Sequence, residues 1–235
     1  MAKVGDPVAP RVILFDIDGT LLTFAGPAPG PGRTALERAV NELYRIERAT
    51  DGLRVAGATD RGLARALLGR AGAACDDDAI DRLIACYLGH LANVVETRSY
   101  LPIGDVAGAV ARLSAARCVV GLATGNVRAG ATIKLTSAGL ESTFDLARGG
   151  YGCDAEPRAE ILRHAVERCC AGGRCEVIVV GDTDRDVHAA RAIGARVVGV
   201  ATSDSARAEL ETAGADAIVT GCGDALVDAV LASVA

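Results

Sequence analysis

The chain has very little aromatic character. Of its 235 residues only 3% are aromatic and none is tryptophan, while half are hydrophobic, so a core must be assembled from Ala, Val, Leu and Ile. Long apolar runs are missing as well. None reaches the roughly 20 residues that a membrane-spanning helix needs, and no membrane partner is expected. Met1 to Arg11 lacks the apolar stretch of a secretory leader, which makes the cytoplasm the expected location. There is no basic excess. A formal net charge of −5 argues against nucleic acid as the main partner, because phosphate backbones demand basic surfaces. The three histidines, His90, His164 and His188, fall on helical segments without metal-like mutual spacing and are expected to be structural or exposed. Eight cysteines are scattered along the chain. Cys169, Cys170 and Cys175 are close together but lack a second Cys/His pair at zinc-like spacing, so they are expected to be reduced, partly buried residues.

What is present is concentrated at the start. Val12-Ile13-Leu14-Phe15 reads as a buried strand, and it ends on Asp16-Ile17-Asp18-Gly19-Thr20. Alternation along a strand puts Asp16 and Asp18 on one side, and Gly19 lets the chain turn sharply. Two acids at the end of a buried strand repel each other unless a cation or a shared proton intervenes. Mg²⁺ suits such a place, since it prefers carboxylate oxygens and keeps positions open for phosphate.

The remainder of the chain alternates. Residues 23–32 are dense in Pro and Gly and read as a loop or hinge. Residues 33 to about 98 read as almost wholly helical, with Thr59-Asp60 and Asp76-Asp77-Asp78 as N-terminal caps. From Pro102 onward, helices alternate with apolar strands at Cys118–Ala123, Val177–Val180, Val197–Val200 and Ala217–Val219, and with a short strand expected at Phe144–Ala147. That pattern means a doubly wound α/β fold, a parallel sheet covered on both faces. Residues 1–24 and 101–235 would form the α/β core, and residues 25–100 a small all-helical cap inserted after the first strand. Ligands of such sheets bind beyond the carboxyl ends of the strands.

Three strands end in polar clusters: Asp16/Asp18, Thr124/Asn126 and Asp182/Asp186. Their spacing and order resemble the haloacid dehalogenase-like hydrolase superfamily, in which most members are phosphatases. Asp-x-Asp-Gly-Thr at 16–20 looks like its first motif, Thr124-Gly125-Asn126 like its second, and Gly-Asp-x-x-x-Asp at 181–186 like its fourth. The resemblance implies Asp16 as nucleophile and Asp18 as general acid and then base. It further implies Mg²⁺ held by Asp16, Asp18 (through its carbonyl), Asp182 and Asp186, with Thr124, Gly125 and Asn126 on the phosphate. An acid at position 18 points to phosphoryl chemistry rather than dehalogenation. A phosphonate-cleaving relative would need a lysine in the cap, and residues 25–101 contain none.

The third motif is where the chain departs from its resemblance. The family pattern has a Lys, often followed by Pro, before the helix that leads into the Asp182 strand, and here strict register puts Glu156 in that place. Arg158 is the preferred substitute, since its fork suits phosphate. Lys134 is the other candidate, although a mid-helix lysine is commonly a solvated surface residue. Thr59, Asp60 and Arg61 resemble the cap loop of phosphoglycolate phosphatase-like members and would meet the substrate, Arg61 by pairing with an anionic group; the alternative for them is a plain loop and helix cap. The implied activity is Mg²⁺-dependent hydrolysis of a small phosphorylated metabolite, 2-phosphoglycolate first, through an aspartyl-phosphate. The alternatives are a phosphomutase of the β-phosphoglucomutase kind, or a catalytically impaired phosphate-binding regulator, which only Glu156 favours.

Overall fold

The computed structural model describes residues 9–170 and 172–232. Residues 1–8, which make up most of the stretch searched above for a leader, lie outside them. Strand β1 (Arg11–Phe15) is followed by the short β2 (Leu22–Phe24) and by helices α1 (Pro31–Tyr44), α2 (Asp60–Arg70) and α3 (Asp77–Val95). The chain returns through β3 (Tyr100–Pro102) and then runs α4 (Val106–Ala115), β4 (Val119–Leu122) and α5 (Arg128–Ser137). After a 3₁₀ turn at Leu146–Arg148 come α6 (Arg158–Cys170), β5 (Glu176–Gly181) and α7 (Asp184–Ala192). The last elements are β6 (Arg196–Val200), α8 (Asp204–Ala213), β7 (Ala217–Val219) and α9 (Asp224–Leu231). Among the described residues no helix is long and apolar enough to cross a membrane.

Five strands make a parallel sheet in the order β4-β1-β5-β6-β7. Alternation along β1 shows why its apolar run is continuous. Ile13 and Phe15 enter one core, shared with α4, α5 and α9, whereas Val12 and Leu14 enter the other, beneath α6, α7 and α8. With both faces covered, every position must be apolar, and all four residues are fully buried. β1 is an interior strand, flanked by β4 and β5, so residues just past its end have neighbours on both sides.

The helical segment has a simple logic. α1 and α3 pack along each other, and α2 lies against α3. Pro31 opens α1 at a position where its missing N–H costs nothing. Asp76 caps α3 by accepting from the Ala79 N–H at 2.8 Å. The chain enters and leaves this segment through the antiparallel pair β2 and β3. Part of the Pro/Gly stretch read as loop is therefore strand at its start and helix at its end.

Two local expectations fail. Phe144–Ala147 is not a strand; the chain instead turns at Leu146–Arg148, with the Asp145 carboxylate accepting from the Ala147 N–H at 3.0 Å. Phe144 is buried by packing edge-on against Phe15, at 6.0 Å between ring centroids, so its apolar character reports a contact rather than a ladder. The sheet edge beside β4 is met further on, by a bridge between Ala123 and Gly150. Cys170 and Cys175 are not reduced but joined in a disulfide, because the excursion between α6 and β5 doubles back and brings their Cα atoms to 6.3 Å. Cys169 is free, its thiol directed at the Arg148 carbonyl.

Candidate active site

Past Phe15, the Asp16 N–H still donates to the Val180 carbonyl at 2.9 Å, which holds Asp16 in line with β1 and β5. The chain then folds over itself: the Ile17 carbonyl accepts from the N–H groups of Leu21 and Leu22 at 3.0 and 2.9 Å. Gly19 makes that turn with φ +77°, and a side chain there would collide with the Asp182 carboxylate. Asp182 follows β5 directly, with the Thr20 hydroxyl 3.4 Å from its Oδ1. Asp186 lies in the first turn of α7. Its Oδ2 accepts from the N–H and hydroxyl of Thr183 at 3.1 and 2.7 Å, a capping box that leaves Oδ1 to face the cluster.

Arg158, at the start of α6 and almost buried, reaches both sides of this cluster. Its Nη2 lies 2.8 Å from Asp16 Oδ2 and 2.5 Å from Asp186 Oδ1. Lys134 serves the other acid. Its Nζ donates to Asp18 Oδ2 and to Asn126 Oδ1, each at 2.6 Å, and the Asn126 amide donates to Asp18 Oδ2 at 2.7 Å and to the Thr124 hydroxyl at 2.8 Å. Lys134 is 5% exposed, so the expectation of a solvated surface lysine fails; α5 turns it inward over Tyr100. The choice between Arg158 and Lys134 dissolves: both are at the site, on different carboxylates. Lys134 is one of only two lysines in the chain, against a total of 25 Lys and Arg, and that rarity was the signal available beforehand.

The electrostatics separate the acids. Burial, with Asp186 and Asp16 nearby, pushes the Asp182 carboxyl up to about 9. Burial also lifts Asp16 to about 6, against the opposing pull of Arg158. Asp18 is also pushed up by desolvation, but its side chain is nearly half exposed, and Lys134 and Asn126 hold it below the ordinary carboxylate range. Lys134 in turn overcomes its burial through Asp18 and is raised well above its usual value. Asp16, Asp182 and Asp186 each offer an oxygen within 4.8 Å of the others. Three carboxylates, two buried and Asp182 half-buried, against one guanidinium leave surplus negative charge, and this all-oxygen donor set fits a hard dication such as Mg²⁺.

The helical segment closes over these groups and encloses a cavity of about 330 Å³ lined by Asp16, Asp18, Asn126, Lys134, Arg158 and Asp182 on the sheet side. Asp60 bonds across: its N–H donates to the Gly125 carbonyl and its Oδ2 accepts from the Val127 N–H, both at 2.8 Å. Gly125 permits the approach, since a Cβ there would meet the Ala58 carbonyl. Burial lifts the Asp60 carboxyl to about 6. Thr59 is a helix cap, its hydroxyl accepting from the Gly62 N–H at 3.1 Å. Arg61 turns outward to Asp77 and Asp81, at 2.6 Å each, and does not line the cavity. Glu156 also faces away, paired with Arg65 at 2.6 Å. The aromatic and apolar wall opposite the acids, including Phe24, Tyr87 and Tyr100, was not foreseen from sequence. Outside the cavity, His90 pairs with Glu42 at 2.8 Å, with Cys86 near both.

A doubly wound parallel sheet with buried acids and two inward cations at its strand ends defines an α/β enzyme class built for charged substrates. The sequence profile of haloacid dehalogenase-like hydrolases matches residues 10–194, and the chain belongs to that family. Solved structures agree on the fold. A predicted phosphatase from Clostridium acetobutylicum superposes with a TM-score of 0.69 at 18% identity, covering 96% of this chain and 99% of that one. A hydrolase from Pseudomonas syringae gives 0.68 at 20% identity, with 93% and 96% covered. A protein from Thermotoga maritima that carries the provisional name β-phosphoglucomutase gives 0.57 at 25% identity, with 89% and 94% covered. No curated protein matches the chain by sequence.

Proposed function

We propose that this hydrolase cleaves a small phosphomonoester with Mg²⁺, through an aspartyl-phosphate on Asp16. The observation that supports this most directly is the division of labour between two neighbouring acids. Asp16 sits among Arg158, Asp182 and Asp186, while Asp18, two residues on, is bound by Lys134 and Asn126 instead. Asp16, Asp182 and Asp186, with the Asp18 carbonyl, would hold the metal, which offsets the repulsion between an anionic nucleophile and an anionic phosphate.

An Asp16 carboxylate oxygen attacks phosphorus, and the bond from phosphorus to the ester oxygen breaks. Asp18, held ionised by Lys134 and Asn126, takes the proton that a monoanionic phosphate ester brings in, passes it to the departing alkoxide, and then takes one from a water molecule. That water attacks the phosphoaspartate, and the bond from phosphorus to the Asp16 oxygen breaks to release phosphate. Arg158 steadies Asp16 and the incoming oxygens with its fork, and Thr124 and Gly125, at the turn into α5, receive further phosphate oxygens. Residues 25–100 act as a cap that excludes water and selects the ester; the paired crossings β2 and β3 and the Asp60 bonds to Gly125 and Val127 support this.

Glu156 no longer favours an impaired regulator, since it is bound to Arg65 and Arg158 stands in the site. Nor does Arg61 support a carboxylated substrate. The test is phosphate release from p-nitrophenyl phosphate with and without Mg²⁺, against an Asp16→Asn control. Activity that Asp16→Asn retains would reject the reading. A sugar phosphate returned as its isomer, with no free phosphate, would favour a phosphomutase.

A further inference from the structure

Three cations line the cavity, and each is already committed. Arg158 faces Asp16 and Asp186, and Lys134 faces Asp18. Arg33, on the helical side, donates to the Thr50 hydroxyl at 2.6 Å and stands 3.4 Å from Glu37 and 3.2 Å from Asp51. The larger side chains on the rest of the helical wall are Phe24, Leu36, Val55, Leu63 and Tyr87, with the small residues Ala56, Gly57 and Ala58 between them, and Asp60 is its only acid among the described residues. A carboxylate on the substrate's leaving group would meet Asp60 and apolar carbon with no free cation, and burying an unpaired charge is expensive.

Tyr87 is the second observation. It is 4% exposed and lies on the cavity wall, yet its hydroxyl makes no hydrogen bond among the described residues. Neighbouring Tyr100 differs: its oxygen accepts from the Gly32 N–H at 3.0 Å. This phenol's oxygen is not sealed in the core but open to the cavity, where water can reach it. An unpartnered one inside a cavity is a hydrogen-bonding group held ready for a ligand.

We propose that the helical wall is a subsite for an uncharged leaving group, whose carbon skeleton lies on Phe24, Leu36, Val55 and Leu63 and whose own hydroxyl or carbonyl bonds to Tyr87. This deepens the phosphatase reading and rests on it. The volume, about 330 Å³, is at the lower end of small-molecule sites, roughly 300–1,000 Å³. The alcohol is therefore small, and the wall rejects carboxylated esters such as 2-phosphoglycolate, the substrate suggested by family resemblance.

Three esters of similar size test this with the full chain and Mg²⁺: glycerol 3-phosphate, propyl phosphate and 2-phosphoglycolate. The two uncharged leaving groups are expected to show kcat/KM at least about tenfold above 2-phosphoglycolate, with glycerol 3-phosphate ahead of propyl phosphate. Tyr87→Phe, which keeps the ring and its packing, should remove most of the glycerol advantage, about three- to tenfold and mainly in KM, while leaving propyl phosphate unchanged. A thermal melt confirms that the variant is folded. Equal or better hydrolysis of 2-phosphoglycolate, or an intact glycerol advantage in Tyr87→Phe, overturns the subsite. Failure to hydrolyse any of the three, or p-nitrophenyl phosphate, overturns the phosphatase reading and the subsite with it.

Discussion

Two buried cations stand about one acid pair, and they are built differently. Arg158 enters from the first turn of α6 and sets one nitrogen, Nη2, between Asp16 and Asp186. Lys134 comes from the far end of α5 and places a single ammonium against Asp18 and Asn126. The guanidinium thus stands between two carboxylates, while the ammonium pairs with one carboxylate and one amide oxygen. Their effects diverge accordingly: burial still lifts Asp16 to about 6, but Asp18 is held below its ordinary value. Two aspartates separated by one residue thus titrate differently because their surroundings differ.

The strongest way to break this contrast is to remove one acid. Asp16→Asn should lower kcat by at least about 10³-fold with the fold intact by circular dichroism, because it removes the carboxylate proposed to attack phosphorus. Next come the cations. Arg158→Ala and Lys134→Ala should each cost about 10²- to 10³-fold in kcat, and they should move different limbs of the pH profile upward: the arginine variant chiefly the limb of Asp16, the lysine variant the limb assigned to Asp18, as each carboxyl loses the cation that pulls it down. An unmoved profile in Lys134→Ala would show that the ammonium does not control Asp18.

A third test uses protons. In the metal-free protein Asp182 holds its proton below about pH 9 and Asp16 below about pH 6. A carboxylate must lose its proton to bind metal, so Mg²⁺ affinity should rise with pH between 6 and 9 and binding should release protons. Titration calorimetry in buffers of different ionisation enthalpy reads this directly. The smallest effect belongs to Arg61→Ala: its partners Asp77 and Asp81 are exposed, so turnover should change less than about twofold and stability by about 0.2–1 kcal/mol.

The strands and the acids were legible because each depends on local pattern. Apolar runs at β1, β4, β5 and β6 could only be strands covered twice, and carboxylates at their ends could only lie beyond the sheet. What escaped depends on partners remote in sequence. Lys134 faces inward because Asp18, 116 residues earlier, waits there. Phe144 imitated a strand because its partner is the ring of Phe15. Arg61 looked functional until α3 supplied two aspartates. The Cys170–Cys175 bond depends on how tightly the chain doubles back between α6 and β5, which spacing alone does not disclose.

Helix α5 has one more property. Ala131 and Leu135 are buried in the core beneath it, while Lys134, on the same helical turn, holds Asp18. The helix is therefore a lever with its fulcrum in hydrocarbon. A single methylene gained or lost under Ala131, far from any phosphate, would tilt the ammonium, so tuning of the reaction by descendants of this chain has a route that leaves every reacting group untouched.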